Sequence, residues 1–192
     1  MRLVRLLIGI AGLALATASG QSLDDCLKQI RDADPQKRQA AILALRTLPP
    51  DESVFAALIE ALHDKDGGVR TRAAFVLGQF GTDATWVVPA LLEMLDDPSP
   101  VIRSAMADAL AKFGKEASPA LPRLEALLTD PDAYVRVSAI RSLGAIAGSS
   151  GQAQETIVRQ LADTRVDIRY AALRALSQLG ESAAVHRGDG RS

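Results

Sequence analysis

Apolar residues along most of this chain fall into two alternating helical patterns. The first is short: Cys26, Leu27 and Ile30, then Leu58, Ile59 and Leu62, then Leu91, Leu92 and Leu95, then Leu124 and Leu128, then Ile157, Val158 and Leu161. Their i, i+1, i+4 spacing marks one face of a helix. The second pattern is longer: Val69, Ala73, Leu77 and Phe80; Ile102, Met106, Leu110 and Phe113; Val135, Ala139, Leu143 and Ile146; Ile168, Ala172, Leu176 and Leu179. The alternation predicts helix pairs, a short helix A followed by a longer helix B, in five units. Pro89 and Pro122 share one register, near the starts of their A helices, where proline is tolerated. Gly81, Gly114 and Gly180 stand one residue past the B stripe, where a helix end favours positive φ.

The polar positions repeat as strictly. Arg38, Arg70, Arg103, Arg136 and Arg169 recur at gaps of 32, 33, 33 and 33 residues, each six residues after an aspartate: Asp32, Asp64, Asp97, Asp130 and Asp163. A fixed period over this length means stacked copies of one supersecondary unit, none of which could bury its apolar face alone. The aspartates end the A segments and open tight turns, as Asp97-Pro98 and Asp130-Pro131 show. On a helical wheel the arginines lie beside the apolar stripe. A guanidinium there is partly desolvated and needs an acceptor. The turn aspartate of the same or the adjacent unit supplies one, with bidentate geometry. The ten residues therefore read as a structural ladder.

The copy Pro122-Arg123-Leu124-Glu125-Ala126-Leu127-Leu128-Thr129-Asp130-Pro131-Asp132-Ala133-Tyr134-Val135-Arg136, continuing through Ala139 to Gly144, resembles HEAT repeats of the short bacterial, phycobilin-lyase type. Val69 to Gly78 is a second good copy. The resemblance covers Ser22 to Gly180. It implies an all-α fold, a right-handed α-solenoid of about five two-helix repeats, with B helices on the concave side and A helices on the convex side. The ankyrin Thr-Pro-Leu-His signature and the tetratricopeptide Trp/Tyr pattern are absent. Unit one has Lys37 where the others carry Val or Ile, which suits a capping repeat whose outer face meets water.

The first twenty residues are different in kind. Arg2 and Arg5 precede an apolar run from Leu6 to Ala16, and Ala16-Thr17-Ala18 offers small residues for a signal peptidase. This reads as an export signal over 1–20, cleaved there or after Gly20. It places the mature chain in the periplasm or outside the cell, with no membrane span after cleavage. Without Arg2 and Arg5, 20 basic residues face 23 acidic ones, a formal charge of −3, which opposes bulk attraction to nucleic acid. The single cysteine, Cys26, excludes an internal disulfide. It shares its register with Leu58, Leu91, Leu124 and Ile157 and so reads as a core residue.

Sequence signals for catalysis are lacking. The two histidines, His63 and His186, are not followed by glutamate. The iron-holding His-Glu pairs of some HEAT-like relatives, such as deoxyhypusine hydroxylase, are therefore missing. No phosphate loop, serine elbow or metal spacing is present, and no cofactor is expected. Function is expected on the outward faces of the B helices. Leu43 and Phe75 place apolar bulk there. Tyr134, Arg141, Tyr170 and Arg174 set tyrosines beside arginines, the residue types enriched at binding hot spots. The expected activity is non-catalytic protein binding or scaffolding, with an extended or acidic segment of another protein as partner. The alternative is an accessory subunit or chaperone that presents a substrate or cofactor to an enzyme, as the resemblance to lyase-type proteins implies. Residues 181–192 lack apolar periodicity and read as a disordered tail; their Arg187-Gly188-Asp189 carries no weight as a three-residue match.

Overall fold

The computed structural model describes residues 22–148 and 151–188, with the backbone alone over 181–188. The segment read as an export signal lies outside the described residues, as do Asp189 to Ser192. Helices α1 (Leu23–Gln29), α3 (Glu52–Ala61), α5 (Ala84–Glu93), α7 (Leu121–Ala126) and α9 (Gly151–Arg159) are the A helices. Helices α2 (Pro35–Leu45), α4 (Gly67–Phe80), α6 (Pro100–Leu110), α8 (Ala133–Ile146) and α10 (Val166–Gly188) are the B helices. No strand occurs among the described residues, and none of their helices is long and apolar enough to cross a membrane.

The local signals act where chemistry puts them. Ser22 caps α1 in a capping box with Asp25. Asp34, Asp66 and Asp132 cap α2, α4 and α8 by accepting backbone N–H groups of their first turns. Three A helices tighten into 3-10 turns at Met94–Asp96, Leu127–Thr129 and Gln160–Ala162. Each then meets a ladder aspartate in extended conformation, with ψ of 138° at Asp97, 139° at Asp130 and 147° at Asp163. Gly81 closes α4 in the left-handed region at φ 60°. Gly114, at φ 51°, kinks a longer 3-10 stretch, Ala111–Ala120, that leads into α7.

Consecutive B helices pack side by side, α2 on α4, α4 on α6, α6 on α8 and α8 on α10, while direct contacts among the A helices are sparse. The B layer is thus the more closely packed of the two, as a layer on the concave side of a solenoid would be. One apolar core runs through the stack. The A-helix register Cys26, Leu58, Leu91, Leu124 and Ile157 is fully buried in all five units. Cys26 thus occupies the core position its register predicts, and burial, with Asp25 adding to it, pushes its thiol pKa up.

Small residues set the spacing of the B layer. A Cβ on Gly144 would stand 2.8 Å from Ala175 Cβ and 3.1 Å from its Cα, and one on Gly78 would stand 3.2 Å from Ala109 Cα. Two sequence expectations fail here. Pro89 lies inside α5 rather than at its start, whereas Pro122 sits in the first turn of α7, whose preceding residues up to Ala120 run in 3-10 rather than α conformation. Gly180 does not end α10, and the helix continues to Gly188, into the segment expected to be disordered. Glu181, Ser182, Ala183 and Ala184 include no proline and have side chains that a helix accommodates, so a glycine alone does not stop it.

The two glycines respond oppositely to alanine. Gly144→Ala is expected to lower Tm, since the new methyl meets backbone and overpacking costs about 1–3 kcal/mol. Gly180→Ala, with no neighbour within 4 Å, is expected to stabilise by about 0.5–1 kcal/mol. Thermal melts followed by circular dichroism compare the two.

Candidate functional site

The arginine ladder is built from the turns outward. Each ladder aspartate accepts the N–H two residues on through Oδ1: Asp34 to Asp32 at 2.9 Å, Asp66 to Asp64 at 2.8 Å, Ser99 to Asp97 at 2.8 Å, Asp132 to Asp130 at 2.9 Å and Arg165 to Asp163 at 2.8 Å. Each arginine then donates Nη1 to two carbonyls of its own turn. Arg38 reaches Asp32 and Ala33, Arg70 reaches Asp64 and Lys65, and Arg103 reaches Asp97 and Pro98. Arg136 reaches Asp130 and Pro131, and Arg169 reaches Asp163 and Thr164.

The carboxylate partner belongs to the following unit. Arg38 grips Asp64 with Nε and Nη2, both at 2.7 Å, and Arg103 grips Asp130 with both at 2.8 Å. Arg70 sits against Asp97 more loosely: Nη2 donates at 3.4 Å, while Nε lies 3.0 Å from Oδ2 without the alignment of a hydrogen bond. Arg136 makes no such pair with Asp163, so the last joint of the stack lacks the clamp. Burial opposes ionisation of Asp64 and Asp130. The hydrogen bonds from Arg38 and Arg103, with the turn amides, outweigh it and hold both carboxyls below the usual range.

The outward B face carries the binding candidates. Phe75 on α4 is 48% exposed, Tyr134 on α8 is 74% and Tyr170 on α10 is 60%. Arg141 and Arg174 are exposed on α8 and α10. Arg141 has Asp108 at 3.8 Å, and Arg174 makes no ion pair among the described residues. At the start of α10, Arg165 holds Asp167 at 2.8 and 3.1 Å. Its pKa is raised first by that bond, and the Tyr134 side chain contributes too. A groove of 430 Å³ opens at the other end of the face, between α2, α4 and α6. Phe75, Val101, Gln39, Gly68 and Thr71 are among the residues that line it.

One residue escaped the sequence reading and another was read only in part. Val101 falls in the outward row of Gln36, Gly68, Tyr134 and Asp167, and its exposed apolar side chain was a usable signal. Trp86, on the opposite A face, is 67% exposed and borders a second groove with Pro50, Phe55 and Ile59. Its register equivalents, Ser53, Pro119 and Gln152, show that the repeat does not call for an aromatic there. His63 is exposed at a helix end, and no cluster of three His, Cys, Asp or Glu that could hold a metal occurs among the described residues.

Removing a clamped arginine should cost more than removing an unclamped one. Arg103→Ala is expected to destabilise by about 1.5–3 kcal/mol, and Arg136→Ala by clearly less, in urea unfolding. The acid limb follows from the lowered carboxyl pKa values. Their stabilisation is complete at neutral pH, above the unfolded value of about 3.9, and is lost as pH falls through the depressed folded values. The Asp64→Asn/Asp130→Asn chain is expected to be less stable at neutral pH and less sensitive to acid.

Among solved structures, the complex of CpcE and CpcF of phycocyanin lyase from Nostoc sp. PCC7120 aligns with a TM-score of 0.67 at 26% identity, covering 85% of this chain and 67% of that one. A designed armadillo repeat protein in complex with the peptide (KR)4 aligns at 0.63 and 16% identity, covering 82% and 81%. An engineered protein aligns at 0.62 and 22% identity, covering 83% and 79%. No curated protein sequence matches the chain. The family model described as HEAT repeats matches residues 23–111, 55–130 and 120–186, which together span nearly all of the described helices. With the period, the paired helices and the solenoid alignments already in place, the chain belongs to the HEAT repeat family.

Proposed function

We propose that this protein is a non-catalytic binding module that grips an extended, acidic segment of another protein along its concave B face. One observation carries the reading: the outward face of α8 and α10 exposes Tyr134, Tyr170, Arg141 and Arg174 in neighbouring helices, although none of them is needed to close the core. Tyrosine brings a large, rigid contact area, and arginine brings a planar set of donors for carboxylates. Arg72 and Lys112 add positive charge on the same face, opposed mainly by Asp108 and Asp167. The Phe75–Val101 groove accepts an apolar side chain of the same segment. The designed armadillo protein bound to (KR)4 supports the idea that a solenoid of this architecture can hold a peptide; here the charges favour the opposite sign.

A second reading is favoured by the likeness to the CpcE–CpcF complex of phycocyanin lyase. In it the chain is an accessory subunit or chaperone that presents a substrate or cofactor to an enzyme. A chromophore or other small ligand retained on the purified protein, seen in its absorbance spectrum, would favour this reading.

Both readings place the protein outside the cytoplasm, in the periplasm or beyond, on the strength of Arg2, Arg5, the apolar run to Ala16 and the small residues at 16–18. The intact mass of protein purified from its source is then expected to lack the first 18 or 20 residues.

The binding site is tested by fluorescence anisotropy with labelled peptides of alternating Glu and Leu, and of alternating Lys and Leu. The acidic peptide is expected to bind and the basic one not. Arg141→Glu/Arg174→Glu should weaken acidic-peptide binding at least about tenfold, or 1.4 kcal/mol, and leave Tm unchanged because both side chains are exposed. Equal binding by the variant, or preference for the basic peptide, overturns the reading.

A further inference from the structure

Every interior joint of the stack has a forward side and a receiving side. On α4 the forward row is Gly67, Arg70, Ala74 and Gly78. Gly67 faces Ile102 and Gly78 faces Ala109 of α6, and Arg70 reaches Asp97. On α10 the same register reads Val166, Arg169, Leu173 and Ser177, and no further repeat packs on it among the described residues.

Leu173 is 58% exposed, whereas Ala74, Ala107 and Ile140 at its register are buried; Val166 beside it is 69% exposed. Arg169 is fixed by its own turn carbonyls, Asp163 at 2.9 Å and Thr164 at 2.8 Å. Its remaining guanidinium nitrogens meet no carboxylate among the described residues, unlike those of Arg38 and Arg103. The terminal repeat of a solenoid ordinarily turns a polar face to water. This end keeps the apolar row and forward guanidinium of an interior unit.

The opposite end offers the matching half. The receiving row of unit one is Asp32, Lys37, Ala40 and Ala44, in register with Asp97, Ile102, Ala105 and Ala109. Ala40 is exposed and Ala44 half-buried. Asp32 carries a single exposed ion pair, to Lys37 at 3.3 Å, where Asp64 and Asp130 hold an arginine with two short bonds. A lone lysine contact of this kind is weak and yields readily to a bidentate arginine.

We infer that the chain associates head to tail with a second copy of itself. Val166, Arg169 and Leu173 of one copy pack on Ala40 and Ala44 of the next, and Arg169 takes Asp32 as Arg103 takes Asp130. Charge complementarity and repetition of a joint that already recurs within the chain select a second copy as the occupant. The contact is heterologous, so it extends into open chains unless its rotation closes a ring. Lys37 stands where the other units have Val69, Ile102, Val135 and Ile168. It makes this joint weaker than the interior ones and keeps assembly dependent on concentration.

Sedimentation velocity of the purified full chain over about two decades of concentration tests this through mass action. The mean sedimentation coefficient is expected to rise with concentration. Asp32→Asn and Leu173→Glu should each weaken association at least about tenfold, and Lys37→Ile should strengthen it by a similar factor. Circular dichroism establishes that the variants fold. The contact of Gly144 with Ala175 maps by register onto Ser177 of one copy and Ala44 of the next. The Ala44→Cys/Ser177→Cys chain should therefore form a ladder of disulfide-linked oligomers on oxidation, and Ser177→Cys alone should form none. A monomer at every concentration with no ladder overturns the inference. So does association indifferent to Asp32→Asn, or Ser177→Cys alone giving linked dimers, since either means the C-terminal ends meet each other.

Discussion

The arrangement rests on where one guanidinium finds its acceptors. Each ladder arginine sits at the margin of the core, where losing water is costly unless every donor is matched. Its Nη1 is satisfied by two carbonyls of the turn that precedes its own helix. At the clamped joints Nε and Nη2 face the carboxylate of the next turn. That carboxylate is already oriented by the amide two residues on. One side chain thus fixes the angle between its helices and the angle between its unit and the next. Gly78 and Gly144 bring the B helices close at the other two joints, α4 on α6 and α8 on α10, where the ion pair is loose or missing.

The fold was legible because it is periodic. Ten ladder residues and five buried A-helix positions repeat at one pitch, and periodicity survives errors at any single site. The acceptor of each arginine was not legible to the same degree. An aspartate 6 residues back and another 26 or 27 ahead are equally plausible on a wheel, and only the three-dimensional stack separates carbonyl from carboxylate roles. Pro89 and Gly180 misled because each was read by its type at a shared register. Whether a helix starts or stops there depends on what flanks it, and Thr85 to Val88 and Glu181 to Ala184 continue a helix.

The candidate site was legible in part for the same reason. Outward positions follow from the wheel, and Phe75, Tyr134, Tyr170, Arg141 and Arg174 are all exposed on B helices. The grooves were not, since they arise where the repeat is broken: at Gly68, whose missing side chain leaves room beside Gln39, and at Trp86, which replaces small or polar counterparts. Departures from the consensus carry the information about partners, and the repeat itself carries the information about shape.

The clamps also have a direction. Arg38, Arg70 and Arg103 each reach toward the carboxyl end of the chain for a carboxylate, never back. During synthesis a unit can therefore complete its own turn as soon as it leaves the ribosome. Its forward bond must wait for the aspartate 26 or 27 residues later. A joint of this kind is completed only by the unit that follows, which gives the clamps of Arg38 and Arg103 a polarity from the amino end to the carboxyl end.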